Sequence, residues 1–101
     1  MTDTPERLAE RVRDGDLRIH ELEDHADADV AASARRLLVE ERSGAGLDAV
    51  GSYAFDADAA DSNVENMIGA IQIPLGVAGP VTVRGAAAER EVFLPLATTE
   101  G

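Results

Sequence analysis

Apolar positions along this chain follow two rhythms, helical in the first part and extended in the second. Thr4 can cap a helix with Pro5 in its first turn, and Glu6 suits the positive end of the helix dipole. Leu8 and Val12 then share a face, and Asp14-Gly15 ends the segment. Leu17, Ile19 and Leu22 form a short apolar alternation, read as a docking segment. A second helix is predicted over 28–42, with Asp27 as its cap. Val30, Ala34, Leu37 and Leu38 form its stripe, Arg35, Arg36 and Arg42 lie toward its negative end, and Gly44 is its stop. Residues 43–62 read as a loop or weak helix anchored by Tyr53 and Phe55.

From Asn63 the pattern becomes strand and turn. Met67 to Ile73 is β-like and ends at Pro74, Gly76, Gly79 and Pro80 mark a tight excursion, and Val81 to Val83 resumes the extended run. Arg84-Gly85 opens a hairpin, and Glu91 to Leu94 is the return strand. The fold class is therefore α+β. A small helical N-terminal domain over 1–62 precedes the first strands of a larger domain over 63–101. The last strand has no closing element and both sheet faces lack cover, so the chain reads as an N-terminal fragment.

Charge sharpens this division. Residues 1–62 carry 16 acidic and 7 basic side chains, a net of −9; residues 63–101 carry 4 and 2, a net of −2. All nine basic residues are Arg, and there is no Cys, which excludes disulfides, zinc ribbons and thiol nucleophiles. So acidic a surface repels phosphates, which argues against nucleic acid. No apolar run approaches the ~20 residues of a membrane span, and the N-terminus has no signal-peptide pattern, so the expected setting is cytoplasmic. The carboxylates are interspersed with apolar residues, which make up 45% of the chain, rather than gathered in a tail. Dense carboxylates maintain solubility where concentrated salt screens charge over ~3 Å, so the charge reports a salt-rich habitat.

Three strings carry more specific information: Glu65-Asn66-Met67-Ile68-Gly69, Ile73-Pro74-Leu75-Gly76-Val77-Ala78-Gly79-Pro80 and Leu96-Ala97-Thr98-Thr99-Glu100-Gly101. In this order and spacing they resemble hydroxymethylglutaryl-CoA (HMG-CoA) reductase. They look like that family's E-N-x-I-G dimerisation motif, its P-x-G-x-A-G-P turn and its A-T-T-E-G catalytic motif. Ile19-His20-Glu21-Leu22-Glu23 and the helix around Arg35-Arg36 resemble the helical N-terminal domain of the class I, archaeal and eukaryotic, type. The resemblance implies an oxidoreductase that reduces HMG-CoA to mevalonate with two NADPH, in the mevalonate route to isoprenoids. It implies Glu100 as catalytic proton donor and Glu65, Asn66, Ile68 and Gly69 as dimerisation residues. His20 falls where the family often places an aromatic residue over the CoA adenine, a substrate-binding candidate. A homo-oligomer, a dimer or dimer of dimers, is implied for the full-length protein. The nicotinamide site and the later catalytic Lys, Asp and His are implied beyond residue 101, so the fragment alone is expected to be inactive.

Plainer readings stand beside these. An isolated T-T-E-G is an ordinary exposed loop, and Glu65-Asn66 could simply turn the chain. Gly76 to Gly79 lacks the basic neighbours of an RNA clamp, and Gly44-Ala45-Gly46 follows a helix without a dinucleotide fingerprint. His20 and His25, five apart, do not make a metal site. The alternative to the reductase is a non-catalytic acidic α+β interaction module. The charge itself yields a prediction: helix content by circular dichroism should rise from dilute buffer to molar KCl, and an unchanged spectrum would contradict salt adaptation.

Overall fold

The computed structural model describes residues 3–60 and 63–97, in an α+β arrangement of helices followed by a two-stranded antiparallel sheet. The chain divides into two compact units, Met1–Ile71 and Gln72–Gly101.

In the first unit, α1 spans Pro5–Arg13. Thr4 is its N-cap, the hydroxyl accepting from Arg7 N at 3.1 Å, and Asp14 N–H closes the far end on the Glu10 carbonyl at 3.0 Å. Within the expected docking segment, Leu17 lies in the loop after α1 and a 3-10 helix spans Ile19–Asp24, with Leu17 and Leu22 both packed into the core. Glu21 accepts from Arg18 N at 2.9 Å and opens this helix, burying Leu22 while Ile19 stays exposed. Helix α2 covers Ala28–Ser43 and stops at Gly44, whose φ of +74° is left-handed.

α2 is the centre of this unit. On one side Leu8, Leu17 and Leu22 pack with Ala31 and Ala34, bordered by Val12, Ala26 and Val30. On another, Ala32 packs with Ala57 and Met67, bordered by Ala28, Tyr53 and Ala60. The leucines of the first cluster come from α1, the loop after it and the 3-10 helix, so α2 meets them with alanines. This corrects the expected stripe: Leu37 and Leu38 are only half-buried, and Arg35 takes the buried place after Ala34. Arg35 is not a solvent-facing partner of the helix dipole.

The segment after α2 is held by side chains. Leu47 N donates to Glu40 Oε2 at 2.8 Å, and the Tyr53 hydroxyl donates to Asp29 Oδ1 at 2.6 Å. Burial, reinforced by the Asp29 bond, raises the Tyr53 phenol above its usual range. Phe55 is exposed and stacks on Tyr53 at 5.0 Å, so of the two expected anchors only Tyr53 packs into the core cluster. A single helical turn, α3, follows over Ala57–Ala60.

No strand forms over 67–73. Met67 and Ile68 direct their carbonyls to Arg35 and Arg36, at 3.1 and 2.8 Å, instead of to a sheet neighbour. Ala70 N donates to Val50 O at 2.9 Å. Gly69 between them has φ +151°, and a Cβ there would lie 2.0 Å from Val50 O. Only glycine fits so close a backbone crossing.

Arg35 is 2% exposed, and its guanidinium makes four hydrogen bonds. Nε donates to Ile19 O at 2.8 Å, and Nη1 donates to Met67 O and to Glu23 Oε2, the latter at 2.9 Å. Nη2 completes the fork on Glu23 Oε1. These bonds, with the attraction of the guanidinium, outweigh desolvation and hold the Glu23 carboxyl below its ordinary value.

In the second unit, β1 (Leu75–Arg84) pairs antiparallel with β2 (Glu89–Ala97), from Leu75↔Ala97 to Arg84↔Glu89. The expected excursion at Gly76–Pro80 lies within β1, as an irregularity between Ala78 and Val81. Pro80 has no N–H for the ladder, so the strand bulges there and continues. The return strand is also longer than expected, and Gly85 N closes the connecting turn on Ala88 O at 2.9 Å. Leu75, Val77, Phe93 and Leu96 are exposed.

Gly69→Ala should destabilise the protein by ~3 kcal/mol or more, from clash and backbone strain. Gly46→Ala, where a Cβ meets nothing within 4 Å, should stay within ~0.5 kcal/mol; denaturant unfolding measures both. A depressed carboxyl contributes stability that is present above its unfolded value near 4.3 and lost as pH falls through the lower folded value. Glu23→Gln should therefore cost about 3 kcal/mol at pH 7 by leaving Arg35 buried without its counter-charge. It should also flatten the fall of melting temperature below about pH 4.3; an unaltered acid limb would show that Glu23 does not carry it.

Candidate functional site

Three residues per turn place His20 and Glu23 on one face of the 3-10 helix. Opposite them the chain turns at Glu65–Asn66, with Asn66 in the left-handed region at φ +54°. Asparagine tolerates that conformation better than most side chains. His20, Glu23, Val64, Glu65 and Asn66 line one open cavity of about 220 Å³. Residues singled out for two separate reasons, His20 and Glu65-Asn66, thus share one site within the first unit.

The turn presents exposed side chains on a fixed main chain. Glu65 and Asn66 are exposed, whereas Met67 immediately after them is buried against Ala32 and Ala57. The Met67 carbonyl is held by Arg35, the Ile68 carbonyl by Arg36, and Ala70 N by Val50 O. Ile68 and Gly69 are half-buried, Ile68 contributing a carbonyl and Gly69 the space for the backbone crossing. Arg36 is itself oriented by Nη2 donating to Ser33 Oγ at 2.9 Å. The site's position is therefore set from α2.

Its chemistry follows from the lining. Glu23 is paired with Arg35 and held ionised, which makes it an acceptor and an anchor rather than a proton donor. His20, Glu65 and the Asn66 amide are the exposed polar groups. They can donate and accept hydrogen bonds, and the imidazole face can stack over a planar ligand. Among the described residues, no group of three or more His, Cys, Asp or Glu is arranged for a metal ion, and no helix is long and apolar enough to cross a membrane. Glu100 lies outside the described residues.

Three contributors were missed in the sequence: Glu23, Arg35 and Arg36. A signal was present, since Arg35 follows Ala31 by four, on the buried face of an alanine-rich helix. An arginine there requires a buried carboxylate and carbonyls as partners.

Comparison with known proteins agrees with these motifs. The family model for hydroxymethylglutaryl-coenzyme A reductase matches residues 31–101. The 3-hydroxy-3-methylglutaryl-coenzyme A reductase of Haloferax volcanii is 67% identical over 101 residues, covering 100% of this chain and 25% of that protein. The protein of the same name from Halobacterium salinarum is 57% identical over 102 residues, with 100% and 25% coverage. That from Pyrococcus abyssi is 40% identical over 99 residues, with 95% and 24% coverage. The chain spans about a quarter of the length of these curated relatives. Two of them come from halophilic archaea, which fits the acidic balance of this sequence. With the match running through the arginine-clamped Glu65–Gly69 segment and both strands, the chain belongs to the hydroxymethylglutaryl-coenzyme A reductase family.

Proposed function

We propose that this chain is the N-terminal part of a cytoplasmic enzyme that reduces HMG-CoA to mevalonate and free CoA. The conversion takes two hydrides, from two NADPH, and two protons, and breaks the thioester bond between acyl carbon and sulfur. The observation that carries the reading is 67% identity across the whole chain to a named HMG-CoA reductase. It is supported by the grouping of His20, Glu65 and Asn66 around one cavity.

Gly44-Ala45-Gly46 does not fit a dinucleotide phosphate loop, because Gly44 caps the end of α2 at φ +74° instead of making a strand-to-helix turn, and no hydride step is assigned to it. The roles proposed for this chain concern protons, substrate and assembly. Each hydride addition leaves negative charge on a carbonyl oxygen, and Glu100 is the proposed donor that neutralises it. His20 would lie against the adenine of CoA. Glu65, Asn66, Ile68 and Gly69 would meet a second copy, in a dimer or dimer of dimers, and complete the site across subunits.

The test is Glu100→Gln in the full-length protein, assayed in high salt. The amide keeps the shape of the carboxyl but cannot supply a proton, so kcat per folded molecule should fall ~10²–10⁴-fold. KM for the thioester should change little, because binding rests on CoA contacts elsewhere. Near-wild-type turnover would remove Glu100 from the reaction, and lowered thermal stability with normal turnover would make it structural.

A further inference from the structure

A guanidinium bonded to main-chain carbonyls fixes the path of a backbone while leaving its side chains free. Arg35 and Arg36 are consecutive on α2 and diverge by ~100° around its axis. They nevertheless converge on consecutive carbonyls, those of Met67 and Ile68, at 3.1 and 2.8 Å. These are the first two carbonyls after the exposed Glu65–Asn66 turn. Both arginines are aimed before they reach it. Arg35 is gripped by Glu23 and by Ile19 O, and Arg36 by Ser33 Oγ. Gly51 leaves room for the second, since a Cβ there would sit 2.7 Å from the Arg36 Cζ and Nε. A lysine has no planar fork with which to share itself between two such partners.

We propose that Arg35 and Arg36 are positioning residues, which set the Glu65–Asn66 turn for subunit contact and for the reaction. This rests on the reductase reading, in which that turn meets a second copy. The arginines act through the main chain of Met67 and Ile68, so their removal shifts Glu65 and Asn66 without altering either side chain. Glu23 joins the two sides of the cavity: it lines the space beside His20 and holds the guanidinium that reaches Met67.

The experiment uses the full-length protein as wild type, Arg36→Gln, Arg36→Lys, Asn66→Ala and the double variant Arg36→Gln/Asn66→Ala. Dimer dissociation by sedimentation equilibrium, kcat per folded molecule and thioester KM are measured in high salt. Arg36→Gln should weaken the dimer and lower kcat, each ~10-fold or more, with KM within ~2-fold. Arg36→Lys should recover part of both losses, and it serves as the test if the Gln variant does not fold. The double variant should be no worse than the worse single variant, because both changes act through one turn. A drop in melting temperature with unchanged dimer and kcat would overturn the proposal. So would a double variant whose losses multiply, or a silent Asn66→Ala beside a weakened Arg36→Gln. A wild type with no thioester-dependent NADPH oxidation would overturn the reductase reading instead, and dimer dissociation across the same variants would then decide the positioning role alone.

Discussion

The first unit of this protein depends on a cation that has been taken out of water. Desolvating a guanidinium is costly unless its hydrogen bonds are replaced, and Arg35 replaces them with both oxygens of Glu23 and the carbonyls of Ile19 and Met67. Those partners lie in different stretches of chain, the 3-10 helix and the segment after residue 63. The single side chain therefore ties both to α2, and an error in either would leave buried polar atoms unpaired. Hydrophobic contacts surround it but are less directional. Leu8, Leu17 and Leu22 could repack against alanines in more than one way, whereas a forked ion pair with two carbonyl bonds has one geometry.

That geometry explains how exposed residues can form a defined site. Glu65 and Asn66 have no burial to hold them, yet the main chain beside them is held by Arg35, Arg36, Val50 O and the buried Met67 side chain. Loops positioned by a rigid scaffold are where recognition commonly resides, because accessible side chains need not be mobile ones. The same clamp accounts for the absence of a strand over 67–70. Backbone groups used by arginines and by a close crossing at Gly69 are no longer available for a ladder.

The acidic surface and the arginine-only basic set belong to one physical picture. Outside the core, Arg11 bridges Asp3 and Asp16 at 3.0 and 2.7 Å, Arg13 meets Glu41 at 2.9 Å, and Arg84 meets Glu89 at 2.9 Å. Exposed pairs of this kind contribute little individually, ~0–1 kcal/mol, and less as salt rises. The Arg35 pair differs because its cation is shielded from solvent and ions. A protein with a surface suited to salt thus keeps its decisive electrostatics inside.

Local signals in the sequence determined much of this molecule. Thr4, Pro5 and Gly44 set helix limits through capping and backbone preference, and the α+β class followed from helical periodicity giving way to extended runs. The three ordered motifs pointed to the family, and Glu65-Asn66 to a turn. Other features depended on distant partners. Whether Arg35 faces water or the core was decided by Glu23, Ile19 and Met67, up to 32 residues away in sequence. The run from Met67 to Ile73 has strand-like composition, but competing acceptor bonds and the approach of Val50 prevented pairing over its first four residues. Gly79 and Pro80 read as a turn locally, while the partner strand absorbed them as a bulge. Capping and periodicity act over a few residues and are written in the sequence; hydrogen-bond partners and close backbone approaches are chosen across the fold, so only the tertiary structure could assign them.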